Sequence, residues 1–173
     1  MAAALQDQLD WQTLAMRAAR IQGSIPIANL PRVADVVGSV GGEVTADLRF
    51  SRLDNGQPVV TGHIEADLEL VCQRCLEIFR RDIGSDFELL LVQTDGEMGF
   101  EREGLESWLA DDERLKPADL IEDELLLALP DVPVHEKTAD CGRLVNRIAT
   151  YSAHGVEDAY RPFDVLKDLK TQD

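Results

Sequence analysis

Val44-Thr45-Ala46-Asp47-Leu48-Arg49-Phe50 and Ile64-Glu65-Ala66-Asp67-Leu68-Glu69-Leu70 alternate apolar and polar residues without a break. Period-two alternation puts every apolar side chain on one face of a strand and every polar one on the other. Between the two runs stands Asp54-Asn55-Gly56, a turn sequence, because Asn and Gly tolerate positive φ. A third run begins near Leu76 and continues through Phe87-Glu88-Leu89-Leu90-Leu91. Strand, turn, strand and strand in succession predict an antiparallel β-meander with one wet face.

Helical spacing appears on both sides of this core. Leu5, Leu9, Leu14, Ala18 and Ile21 predict an N-terminal helix over residues 5–21, with Gly23 as its stop. Residues 29–37 read as a second short helix, broken by Gly38, Gly41 and Gly42. Pro117 suits a first helical position; Leu120, Ile121, Leu125, Leu127, Ala128 and Leu129 follow, and Pro130 ends the helix. Pro162-Phe163-Asp164-Val165-Leu166 through Leu169 predicts a short amphipathic turn or helix. The expected fold class is α+β: a β-meander core, a few flanking helices and a long acidic loop at residues 94–116. Trp108 and Leu109 are that loop's main apolar anchors. One domain over residues 1–173 is expected, with the loop and a polar tail at 142–173 mobile.

Composition bounds the function. The chain has 173 residues, of which 45% are hydrophobic, enough for a packed core, and only 5% aromatic, so aliphatic residues must fill it. No apolar run approaches the ~20 residues that span a bilayer. The beginning, MAAALQDQLDW, lacks the basic-then-apolar order of an export signal. A cytoplasmic protein is expected, with no membrane partner and no small-molecule substrate. Net charge is -16; residues 1–86 carry 8 basic against 12 acidic residues, and residues 87–173 carry 9 against 21. Such a field repels nucleic acid and attracts basic partners. This argues against non-specific RNA binding by the whole surface and leaves room for a local basic patch. Arg74, Arg80 and Arg81 are the RNA-contact candidates, with Phe79 among them either stacking on a base or facing the core.

Cys72-Gln73-Arg74-Cys75 is the most informative tetrapeptide. Two thiolates at this spacing reach one tetrahedral ion, and His135 and Cys141 supply the remaining ligands of a structural zinc, in the pattern C-x2-C-x59-H-x5-C. Two other readings stand beside it. One is a redox pair, although Leu76 to Arg81 reads as strand rather than the helix that lowers a redox thiol's pKa. The other is three ordinary packed thiols. No catalytic motif is present: no G-x-S-x-G, no phosphate loop followed by Lys, no H-E-x-x-H. Glu122-Asp123-Glu124 reads as the solvated face of a helix, His63 as a structural histidine, and His154 as a tail residue without a partner.

The ordered combination of Cys72-Gln73-Arg74-Cys75, Leu120-Ile121-Glu122-Asp123-Glu124-Leu125 through Ala128-Leu129-Pro130, Val132-Pro133-Val134-His135, Cys141 and Pro162-Phe163-Asp164-Val165-Leu166-Lys167-Asp168-Leu169-Lys170 resembles the YceD family. The resemblance implies a non-enzymatic role in synthesis, processing or stability of large-subunit ribosomal RNA, within ribosome biogenesis. Pre-ribosomal RNA or a basic large-subunit ribosomal protein is then the expected partner. Many members of that family carry further cysteines after the LP-x-x-P segment, where this chain has His135 and Cys141 alone. The alternatives are a metal-dependent RNA-processing hydrolase and a CxxC redox protein.

Overall fold

The computed structural model describes residues 4–93, 105–110 and 114–142. The chain divides into two compact units, Met1–Val134 and His135–Asp173. The first holds a five-stranded sheet in the order β1 (Arg20–Pro26), β2 (Glu43–Arg52), β3 (Pro58–Val71), β4 (Ile78–Val92) and β5 (Glu106–Leu109). β1 to β4 form the antiparallel meander, and β5 adds to β4 in parallel. Of the second unit, residues 135–142 are described, including a 3-10 turn at Thr138–Asp140.

The alternating runs sit where the pattern places them. In β2, Val44, Ala46, Leu48 and Phe50 are buried while Glu43, Thr45 and Arg49 are exposed. Ile64, Ala66, Leu68 and Leu70 of β3 extend the same buried face. Three helices cover it: α1 (Trp11–Met16) through Trp11 and Ala15, α2 (Pro31–Ala34) through Val33, and α3 (Pro117–Ala128) through Leu120, Ile121 and Leu125. Val33, Leu120, Ile121 and Leu125, all fully buried, each stabilise the fold by roughly 1.5–3 kcal/mol on leaving water. Gly62 and Phe87 are cross-strand partners, and the Phe87 ring fills the space that a Gly62 side chain would need. Gly56 has φ +85°, as the Asp54-Asn55-Gly56 turn requires.

The N-terminal reading needs correction. The helix expected over residues 5–21 is confined to Trp11–Met16, and Arg20–Pro26 is strand β1. Asp10 starts the helix by accepting the Thr13 amide at 2.9 Å. Ala18, at φ +48°, turns the chain out of it. From there β1 pairs with β2 over seven residues, and Gly23 lies inside the strand opposite Ala46 rather than ending a helix. Edge pairing outweighs helical periodicity here. The second expected helix, over residues 29–37, also contracts, to α2, and a 3-10 turn at Ile27–Asn29 precedes it. Within the stretch expected as loop 94–116, residues 106–109 form strand β5. Residues 94–104, 111–113 and 143–173, with most of the expected acidic loop, the polar tail, His154 and the Pro162–Leu169 segment, lie outside the described residues.

The β3–β4 ladder outruns β2. Pairing of β2 with β3 ends at Val44 and Ala66, whereas β3 and β4 remain paired to Val71 and Ile78. The free edge of β3 beyond Ala66 is met by the loop after α2: the Gly38 amide donates to the Glu69 carbonyl at 2.5 Å. Covering a bare edge in this way hides a template for unwanted strand pairing. The two-stranded extension carries the Cys72–Cys75 turn at its tip.

Candidate metal centre

The turn joining β3 to β4 is built by the backbone. The Leu76 amide donates to the Cys72 carbonyl at 2.8 Å, and the Cys72 amide to the Glu77 carbonyl at 2.9 Å. Closing so tight a loop forces Leu76 to φ +63°, left-handed space that costs a side-chain-bearing residue about 1–2 kcal/mol. The Leu76 side chain is 68% exposed, so core packing does not offset that cost. What the turn achieves is the placing of two sulfurs: Cys72 and Cys75 are fully buried while Gln73, Arg74 and Leu76 around them are exposed. The turn is also tied to the segment after α3, through the Gln73 amide and the Pro133 carbonyl at 2.8 Å.

Two more donors follow that segment. A 3-10 turn, closed by the Cys141 amide on the Thr138 carbonyl at 3.1 Å, brings Cys141 back toward His135. Cys141 Sγ lies 3.7 Å from His135 Nδ1. Cys141 is buried and His135 half-buried. All three cysteines are free thiols. The ligand atoms of Cys72, Cys75, His135 and Cys141 lie within 4.8 Å of one another, a three-cysteine, one-histidine group that can hold a metal ion.

The donor set fits zinc. With bonds of ~2.3 Å to sulfur and ~2.1 Å to nitrogen, neighbouring ligands of a tetrahedral zinc stand about 3.6–3.8 Å apart. The 3.7 Å from Cys141 to His135 matches such an edge.

The other sequence candidates are placed as follows. Arg80 lies on the solvent face of β4 and bonds Glu69 at 3.1 Å, with Asp67 4.0 Å away. Arg81 is exposed on the opposite side of the strand, and Arg74 is exposed in the cysteine turn. The three therefore do not share one face. Phe79 is half-buried against the core, which settles its orientation in favour of packing. His63 is exposed on β3 between Asp86 at 2.7 Å and Glu65 at 3.0 Å; its hydrogen bonds to Glu65 and Asp86 raise its pKa.

The reading of Glu122-Asp123-Glu124 as a solvated face is overturned. Glu122 and Glu124 are 4% and 7% exposed. Glu122 accepts the Arg32 and Val33 amides at 2.7 and 3.2 Å and the Arg32 Nε at 2.9 Å, so it caps α2 from α3. Asp123 pairs with Arg32 at 2.6 Å and accepts the Trp108 indole N–H at 3.1 Å, fastening β5 to α3. Burial, with Glu106 and Asp123 nearby, pushes the Glu124 carboxyl up. Nothing in the local sequence announces these roles, because the partners lie far away along the chain.

No solved structure matches the chain. The profile of a family described as "Large ribosomal RNA subunit accumulation protein YceD" matches residues 60–170. That span takes in β3 from Val60 onward, β4, the cysteine turn, α3 and both later ligand candidates. The chain belongs to the YceD family.

Proposed function

We propose that the chain is a non-enzymatic factor in the synthesis, processing or stability of large-subunit ribosomal RNA, working in the cytoplasm during ribosome biogenesis. Membership of a family described by large ribosomal RNA accumulation is the observation that carries this reading. Its partners are pre-ribosomal RNA or a basic large-subunit ribosomal protein. The net charge of -16 favours the second, since an acidic surface attracts cationic protein and repels phosphate.

The metal is a structural zinc held by Cys72, Cys75, His135 and Cys141. Three thiolates and an imidazole fill a tetrahedral shell and leave no position for a reacting water, which supports a structural rather than a hydrolytic role. The hydrolase alternative needs an open coordination position. The redox alternative needs Cys72 and Cys75 to be exchangeable with solvent thiols, and their burial weighs against it.

Deletion of the gene, followed by sucrose-gradient profiles and quantification of both ribosomal RNAs, tests the reading. A specific deficit of large subunits and their RNA is expected, and pull-down of the tagged protein should recover large-subunit components. Normal profiles with no ribosomal component recovered would sink it. Elemental analysis of protein purified without chelator should give one zinc per chain.

A further inference from the structure

We propose that the solvent face of the sheet is a docking surface for an extended, lysine- and arginine-rich protein segment. The three described helices pack on the other face. On this one Leu53, Leu105 and Leu109 cover only the end at Val59, Leu90 and Val92. The stretch from His63 to Glu69 and from Arg80 to Glu88 is left uncovered by any described helix. Charge on it is one-sided. Glu43, Asp47, Glu65, Asp67, Glu69, Asp82, Asp86 and Glu88 face outward from β2, β3 and β4. The cations on the same face are largely engaged: Arg20 with Asp47, Arg80 with Glu69 and Asp67, and His63 with Glu65 and Asp86. Arg49 is the remaining one. Glu43, Asp82 and Glu88 make no ion pair among the described residues.

Two further observations separate this face from an ordinary solvated surface. Asp67 and Asp82 are direct cross-strand partners. Like charges directly opposite each other in a sheet are destabilising, so the fold carries a conflict here that an asparagine on either strand would remove. Beside that pair, Glu65 stands opposite Gly84. A side chain at Gly84 would meet only ordinary contacts, the Ile64 carbonyl at 3.4 Å and Glu65 Cγ at 3.8 Å. The contrast with Gly62 is informative: there Phe87 occupies the vacant side-chain space, whereas at Gly84 the space faces solvent. The result is a concavity of about 490 Å³ lined by Glu43, Thr45, Glu65, Asp67, Asp82 and Gly84. Glycine inside a strand serves a bulge, a bend or the close approach of another chain, and no bulge interrupts the β3–β4 register at Gly84. Four carboxylates around such a hollow suit successive cationic side chains of an extended peptide, whose charge complements theirs.

The inference deepens the proposed function by choosing the basic protein over RNA as the direct partner. Its test uses the full chain and a fluorescein-labelled ten-residue Lys/Arg peptide, read by anisotropy. Binding that weakens steeply with salt is expected. Asp67→Asn/Asp82→Asn should weaken it about tenfold while raising the urea midpoint, because the repulsive pair is gone. Gly84→Tyr should weaken binding to a similar extent with stability unchanged or higher, since tyrosine favours strands. Asp7→Asn/Asp131→Asn, an equal charge change at exposed positions outside the strands, should leave affinity within about twofold. Equal losses in the sheet pair and this control would reduce the effect to net charge and overturn the inference. So would tight binding of a single-stranded RNA decamer that Asp67→Asn/Asp82→Asn abolishes. In deletion cells the two claims separate. Normal ribosomal RNA without the gene defeats the proposed function while leaving peptide binding intact. A deficit fully rescued by the Asp67→Asn/Asp82→Asn chain defeats the docking surface alone.

Discussion

A methyl carbon at Gly62 would sit 2.0 Å from Phe87 Cζ, well inside van der Waals contact. Phe87 is 9% exposed and belongs to the central core, so its ring has little room to withdraw. Gly62→Ala should therefore destabilise by about 3 kcal/mol, the cost of overpacking a tight core, read from urea unfolding at constant m. Gly62→Ala combined with Phe87→Leu should recover part of that loss, because the smaller side chain vacates the contested space. Additive losses in the double variant would show that ring and glycine are not coupled. The pairing was not legible in advance: alternation marks Phe87 as a core residue, but register is needed to place it on Gly62. At the cysteine turn the situation reverses. The two-residue gap between Cys72 and Cys75 already restricts both sulfurs to one centre, whereas 59 residues separate Cys75 from His135, and only the folded chain relates them.

Among the elements, strands were legible where the period is two and their neighbours follow in sequence. β2, β3 and β4 satisfy both conditions. β1 does not, since Leu5, Leu9, Leu14, Ala18 and Ile21 fit a helix repeat while the pairing of Arg20–Pro26 with β2 decides the outcome. β5 is four residues long in an acidic stretch, too short for any period to show. The junction of β5 and α3 was hidden for the same reason, and it carries a pH dependence. Glu124 is buried on α3, with Glu106 of β5 and Asp123 as its acidic neighbours, and its pKa is raised first by burial and then by those two charges. A carboxyl with a raised folded pKa contributes stability that is fully present below its unfolded value, near 4.3, and lost as pH rises through the folded value. Glu124→Gln stays neutral throughout. Its melting temperature should exceed that of the parent at pH 7, and the gap should close below about pH 4. A gap independent of pH would mean that packing, rather than ionisation, sets the cost of Glu124.

For the whole molecule, the apolar core and the proposed zinc would stabilise different parts. The core runs from Trp11 through Leu48, Ile64 and Leu68 to Leu125 and contains none of the cysteines. The ordering of the three-cysteine, one-histidine group depends on local turns: Cys72 to Glu77, and Thr138 to Cys141. A metal bound here would displace the thiol protons and hold the four side chains together, so its binding and the ordering of these turns would be linked. A fold resting on zinc alone would unfold on chelation, as small metal-dependent domains do. Here the sheet has its own buried face and should survive. Chelation is expected to release one zinc per chain and to speed amide exchange at Cys72 and Leu76, whose hydrogen bonds form the cysteine turn. Amides of Leu48, Ile64 and Leu68 should keep their protection. Cys141→Ser should reproduce this pattern without chelator. Global loss of protection on zinc removal would place the metal inside the cooperative core, and unchanged exchange at Cys72 would show that the turn holds its shape without an ion.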